Sequence, residues 1–403
     1  MNDQPRAAPA ADQTVFGVIF AIAICHLLND MLQMLLPSLY PSLASGLHLS
    51  FGQIGGITLV YQCTASILQP LVGLYADRRA TPLALPGGTL FTLTGLTIIA
   101  SAHAYWVVLL GALCLGMGSS VFHPESSRVA RMAAGPRKGL AQALFQVGGN
   151  AGSALGPLAA ALVVVRLGQS SLALFALLTL VSFTILWRVS RWYRDHGLER
   201  LRRGRASTDG PGVPRGRAAR AIAILLVLIF SKYVYLASFT SYFTFYLIHR
   251  FGMSLARAQL HLFAFLAAVA AGTVLGGPVG DRLGRKVVIW TSILGILPFT
   301  LLLPHADPFW TGVLSVVIGL LLASAFPAIV VFAQELVPGK VGTIAGLFYG
   351  FSFGMAGLGA AALGWIADHR GIDAVYRLCA YLPALGLLAA LLPDLRRQKL
   401  ETA

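Results

Sequence analysis

Charge is what this sequence has least of. Only 11% of its 403 residues are Asp, Glu, Lys or Arg, against 57% apolar. A soluble domain is about a quarter charged, so a soluble chain of this length would lack the polar groups to cover its surface. Disorder is excluded as well, because it combines low hydrophobicity with high net charge. What remains is a polytopic membrane protein. Cysteine is also scarce. Cys25, Cys63, Cys114 and Cys379 all fall in apolar runs. They show neither metal-ligand spacing nor a secreted disulfide framework, and read as packing residues. The chain has no G-x-x-x-x-G-K-[ST] phosphate loop, no H-E-x-x-H and no G-x-S-x-G. ATP-driven transport on this chain and the common hydrolase chemistries are thereby disfavoured, and the chain reads as no enzyme.

Long apolar runs are abundant. A membrane-crossing helix needs about 20 apolar residues, and twelve stretches qualify: 15–40, 52–76, 83–102, 105–127, 139–165, 169–191, 221–249, 257–280, 287–304, 309–334, 341–367 and 373–393. The polar start, Met1 to Gln13, carries a single Arg. The run after it is too long for a signal-peptide core, so it is expected to remain as the first span. An even number of spans puts both termini on one side. With the termini cytoplasmic, only Arg166, Arg250, Arg257, Arg370 and Arg377 fall in outer loops, and Lys232 lies inside a span. The rest of the 30 basic residues fall at the cytoplasmic face, as the positive-inside rule requires. The net charge of +15 thus has a topological cause, and no nucleic-acid partner is implied. Residues 192–220 are rich in Arg, Gly and Pro and lack apolar period. They read as a basic cytoplasmic linker between an N-terminal six-helix bundle, 1–191, and a C-terminal one, 221–403. The Arg cluster there is suited to anionic lipid as well as to a solvated linker.

The two halves repeat. G-x-x-x-D-R occurs at Gly73-Leu-Tyr-Ala-Asp77-Arg78 and again at Gly277-Pro-Val-Gly-Asp281-Arg282, the second copy continuing to Gly284-Arg285-Lys286. Gly139-Leu-Ala-Gln-Ala-Leu-Phe145 and Gly342-Thr-Ile-Ala-Gly-Leu-Phe348 form a second pair at nearly the same offset. A duplicated six-helix unit places a binding cavity at its interface, near mid-membrane.

The paired loops resemble motif A of the major facilitator superfamily, although Ala80 and Thr81 depart from it in the first copy. The segments His26-Leu-Leu-Asn-Asp30, Phe122-His-Pro-Glu125, Gly139 to Asn150 and Ser231-Lys-Tyr-Val-Tyr-Leu-Ala-Ser238 resemble more narrowly the fosmidomycin-exporting drug pumps of that superfamily. The resemblance implies an all-α fold of twelve transmembrane helices in two pseudosymmetric halves. It implies a pump in the inner (cytoplasmic) membrane that exports a small drug by proton antiport; a monomer is expected. No cofactor is implied, the proton gradient being the energy source. By the same resemblance, contacts of the motif A loops latch the halves and break as they rock. An importer or uncoupled facilitator of a small polar metabolite is the alternative, and a non-transporting receptor is disfavoured because 192–220 is the only long soluble segment.

Several residues carry candidate roles of their own. His26, Asn29, Asp30 and Gln33 share one face of the first span. A central Asp costs about 2.5–3.5 kcal/mol on insertion scales, so this stripe must face protein or a water-filled cavity. Asp30, with His26, is a candidate proton site, and a hydrogen-bonded packing stripe is the alternative. His123, Glu125, Arg128 and Arg131 close the fourth span. They suit a proton relay, an anion site or a structural charge network. Gln142, Gln146 and Asn150 form an amide stripe on the fifth span, suited to hydrogen-bonding a polar solute. Its glycines suit close helix packing, and Gly152 to Pro157 resembles part of the antiporter motif C. The seventh span carries Lys232 with Tyr235, Tyr242 and Tyr246, expected to line the cavity. Lys232 is expected either to pair with Asp30 or to bind an anionic substrate, with a static buried ion pair as the plain reading. Gly73, Asp77, Arg78, Gly277, Asp281, Arg282, Arg285 and Glu335 are candidate gating residues, together with Arg128 and Arg131. Glu335 is expected to meet Arg282 or Arg285. The superfamily's motif B arginine is absent, Ala112 standing four residues before Gly116. No metal site is expected.

Overall fold

The computed structural model describes residues 14–78, 81–135, 137–197, 214–337 and 341–393. Among them there is no strand. Among the described residues twelve helical rods cross the molecule in two sets of six. The first span is Phe16–Ser38, prolonged by Tyr40–Leu47. The second to fourth are Phe51–Arg78, Ala84–Ala100 and Tyr105–Ala133. The fifth, Lys138–Ala159, continues through a π turn at Ala160–Val164, and the sixth is Leu172–Trp192. The seventh and eighth are Arg215–Phe251 and Leu255–Leu283, and the eleventh is Val341–Arg370. Among the described residues, ten helices are long and apolar enough to cross a membrane, and Ala84–Ala100 is a shorter apolar one. Residues 198–213 of the expected linker lie outside the described residues. The helices flanking it reach further than the apolar count suggests, for the seventh span begins at Arg215.

Three spans that read as continuous are broken. The ninth is Arg285–Ile293 followed by Leu297–Leu302, the tenth Pro308–Leu322 followed by Ala325–Leu336, and the twelfth Ile372–Cys379 followed by a 3-10 segment, Leu382–Leu391. Each second piece carries a proline at or near its start: Pro298, Pro327 and Pro383. Proline has no N–H for the carbonyl four residues earlier and its ring crowds that turn, so a helix yields there unless packing holds it. The fifth span meets the same difficulty at Pro157 and answers it with the π turn. The tenth span starts cleanly, with Pro308 at its first position and the Asp307 carboxylate accepting from the Trp310 amide at 2.8 Å.

Polarity is arranged for lipid. Ile67, Leu71, Leu174 and Leu177 face outward, whereas Ser119, Ser126, Ser238, Gln259 and Ser315 are fully enclosed. Enclosed polar groups in a membrane protein need internal partners, and the halves supply them to each other. Gln259 donates to the Ser38 carbonyl at 2.5 Å, and the hydroxyls of Thr58 and Ser241 meet at 3.2 Å. The broadest seam runs between the second and eleventh spans. There Gly55 lies against the Ala360 carbonyl and Gly364 against the Phe51 backbone, so neither position has room for a Cβ.

The seam is pinned at the end of the bundle opposite the termini. Asp368, in the last turn of the eleventh span, accepts from the amides of Phe51 and Gly52, each at 2.7 Å. Those amides are unpaired donors of the second span's first turn, where a carboxylate is also favoured by the helix dipole. This latch between halves has no counterpart in the charge pairs expected from the sequence.

Candidate functional site

The stripe on the first span delivers Asp30 into a compact cluster. His26 meets its Oδ2 through Nε2 at 3.3 Å, and His123, from the fourth span, meets its Oδ1 through Nε2 at 3.3 Å. The Asn29 amide donates to Asp30 Oδ1 at 3.0 Å. Both imidazoles are held from behind. His26 Nδ1 lies 2.7 Å from the Phe145 carbonyl, and His123 Nδ1 lies 3.0 Å from the Ser119 carbonyl. A carbonyl oxygen only accepts, so in this arrangement each Nδ1 carries a hydrogen. A neutral ring then presents a lone pair at Nε2 to a carboxylate that also has only lone pairs. Each His–Asp contact is therefore a hydrogen bond only when a proton lies in it, on nitrogen or on oxygen. The fold thus places two proton positions on one carboxylate. The trio also has donor types suited to a divalent cation, with one ligand atom from each within 4.8 Å of the others.

The fifth span closes over this cluster. The Phe145 ring stacks on His26 with centroids 4.0 Å apart. A Cβ at Gly149 would overlap the His26 ring and stand 2.9 Å from Asp30 Oδ2. Gly148 and Gly152 lie as closely on the Ala23 and Leu27 carbonyls of the first span. On the far side of His123, the ring of Phe353 from the eleventh span lies 5.9 Å away and links the cluster to the other half.

Lys232 lies elsewhere. It is buried on the seventh span and does not reach Asp30, so the expected pair is not formed. Its Nζ donates to the Ala323 carbonyl at 3.4 Å and sits over the rings of Tyr233 and Phe326. Ala323 stands at the break in the tenth span, four residues before Pro327. Pro327 has no N–H to give, so the Ala323 carbonyl is left for the ammonium. Among the described residues no carboxylate pairs with Lys232. Beside it lies a small cavity of about 90 Å³, whose polar lining includes Gln146, Asn150 and Tyr233.

The other expected residues fall as follows. Gln146 and Asn150 line the cavity, while Gln142 instead accepts from Ser127 at 3.2 Å. Gln33 accepts from Tyr61 at 2.5 Å. Tyr235, Tyr242 and Tyr246 do not line the cavity. Each is fully buried in packing: Tyr242 donates to the Ala360 carbonyl at 2.6 Å, Tyr246 lies on Tyr376, and Tyr235 on Phe239. Helical phase accounts for this correction. Tyr242 follows Tyr233 by nine residues, about two and a half turns, which puts it on the opposite face. Tyr233, Ala323 and Pro327 were missed, and Pro327 was the available signal. Glu125 is buried within the fourth span and pairs with Arg128 at 3.6 Å, while Arg131 is exposed. Glu335 pairs with Arg285. Gly73 faces nothing that a Cβ would meet. The side chains of Asp77, Arg78, Asp281 and Arg282, and Gly277, lie outside the described residues.

Comparison with known proteins agrees with this architecture. The description Major Facilitator Superfamily matches residues 22–255 and 225–403. The chain is 55% identical over 404 residues to the Fosmidomycin resistance protein of Escherichia coli (strain K12), covering 99% of each. It is 40% identical over 383 residues to the Uncharacterized MFS-type transporter YfnC of Bacillus subtilis (strain 168), covering 94% of each. Among solved structures, the nucleoside transporter NupG superposes with a TM-score of 0.71 at 15% identity, over 93% of this chain and 98% of that one. That likeness shows the shared fold. On the family match over both halves and the 55% identical relative, the chain belongs to the Major Facilitator Superfamily and is a multi-pass membrane transporter of small molecules.

Proposed function

We propose that this transporter exports a small anionic drug of the fosmidomycin kind across the inner membrane, by alternating access and in exchange for protons, with both termini cytoplasmic. The observation that carries the chemistry is the separation of two sites. One, around Asp30, has positions for protons. The other, around Lys232, has an ammonium with no carboxylate partner among the described residues, next to two amides. An unpaired buried ammonium favours an anion, and Gln146 and Asn150 supply neutral hydrogen bonds around it. The name of the 55% identical relative supports fosmidomycin as the solute.

Proton exchange at Asp30 would alter which contacts the cluster makes and so bias the rocking of the halves. The test is fosmidomycin accumulation in inverted vesicles under an imposed proton gradient, for the parent chain and Asp30→Asn. Gradient-driven accumulation that is lost in the variant, with drug binding retained, is the expected result. Accumulation unchanged by Asp30→Asn would remove Asp30 from the coupling and leave Glu125 as the next carboxylate to test. No accumulation by the parent chain would sink the solute assignment.

A further inference from the structure

We infer that one turn of the fifth span, Phe145 to Asn150, is the physical link between the Asp30 cluster and the Lys232 cavity, and that Gly149 is its positioning residue. The inference rests on the proton reading of Asp30 and adds how a change at that cluster is felt at the solute site.

Three observations converge on this turn. Its backbone accepts the His26 hydrogen at the Phe145 carbonyl, and its Phe145 ring stacks on the same imidazole. Its Gly149 lies so close that no side chain fits between the backbone and the His26–Asp30 contact. Its remaining face presents Gln146 and Asn150 to the cavity beside Lys232. In a helix, residues 145 and 149 share one face, and 146 and 150 share the next. A movement of the His26 ring is therefore delivered to a rigid turn whose other side forms the solute site. No flexible side chain intervenes to absorb it.

Three other titratable groups stand around Asp30: His26 on its own span, His123 on the fourth and the Tyr61 hydroxyl on the second. The fifth span contributes no titratable group to this contact, only backbone and the Phe145 ring. Its role is thus to sense position rather than to exchange a proton.

The glycine stripe provides an internal control. Gly152→Ala puts the same methyl group into the same helix–helix contact, but against the Leu27 carbonyl and away from the cluster. The experiment measures fosmidomycin binding to the purified full-length transporter as a function of pH, with thermal stability recorded in parallel. Gly149→Ala is expected to keep binding but to flatten or displace the pH profile. Gly152→Ala is expected to lower stability and leave the profile where the parent has it. Equal displacement in both glycine variants, or a parental profile in Gly149→Ala, overturns the inference.

Should Gly149→Ala not fold, Phe145→Leu keeps the carbonyl and removes the stacked ring. Its profile is expected to shift in the same sense, and a parental profile overturns the inference. Asp30→Asn separates the two levels of the argument. A flat profile there with a parental one in Gly149→Ala refutes the link alone. A parental profile in Asp30→Asn refutes the proton reading itself.

Discussion

Asp30 and Lys232 lie at similar depth in the two halves, since the repeat that carries Asp77 to Asp281 carries Asp30 to within two residues of Lys232, although two residues turn the helix to another face. Asp30 is ringed by two imidazoles, each held from behind by a backbone carbonyl, and by the Asn29 amide. Lys232 has one long contact to a backbone carbonyl and two aromatic faces. On the proposed reading, the surrounded group exchanges a proton and the sparsely held one accepts a counter-ion from outside. Duplication supplied two similar positions, and the neighbours made them different.

The largest effect should come from removing the first charge. Asp30→Asn keeps the shape and the Asn29 contact side, and is expected to abolish gradient-driven flux while fosmidomycin still binds. A variant that loses both together would mean that the two sites are one. Next is Lys232→Met, which keeps length and burial without the ammonium. Fosmidomycin affinity, measured by calorimetry, should fall by tenfold or more, about 1.4 kcal/mol per factor of ten. The pH response that remains should still depend on Asp30.

Smaller effects sharpen the contrast. Asp368→Asn keeps one acceptor oxygen and turns the other into an amide donor facing an N–H, so one of the two hydrogen bonds is lost and the other loses its charged acceptor. Such bonds are worth about 1.5–3 kcal/mol each when shielded and less at this exposed position. The substitution acts on neither site. Its expected signature is faster labelling of a Thr58→Cys variant by a membrane-impermeant maleimide, as the seam opens more often. Tyr242→Phe should cost about 0.5–1.5 kcal/mol of stability and leave fosmidomycin affinity unchanged. A large loss of affinity there would return the seventh-span tyrosines to the cavity.

The sequence discloses the architecture because the bilayer demands long apolar helices and the repeat survives in its loops. Asp30 was equally visible, since a carboxylate in the middle of an apolar run needs a reason. That His123 completes its cluster was not visible, because the meeting of the first and fourth spans is a matter of helix crossing. The positions of the seventh-span tyrosines are not legible from residue type, because their angular phase along the helix decides which way they point. Broken spans were legible in principle. Pro298, Pro327 and Pro383 stand where the rods give way, and what hydropathy conceals is whether neighbours hold a proline-bearing helix together. The Asp368 latch joins residues more than 300 positions apart, and no local pattern announces it.

Pro327 has a consequence beyond the break it makes. A lysine held by a carboxylate would offer a solute only an exchange of one anion for another, and affinity would be limited by the partner displaced. A lysine held by a neutral carbonyl has no such competitor. By withholding one N–H from Ala323, an imino acid on the tenth span frees a neutral partner for a lysine on the seventh, and no carboxylate among the described residues competes for that side chain.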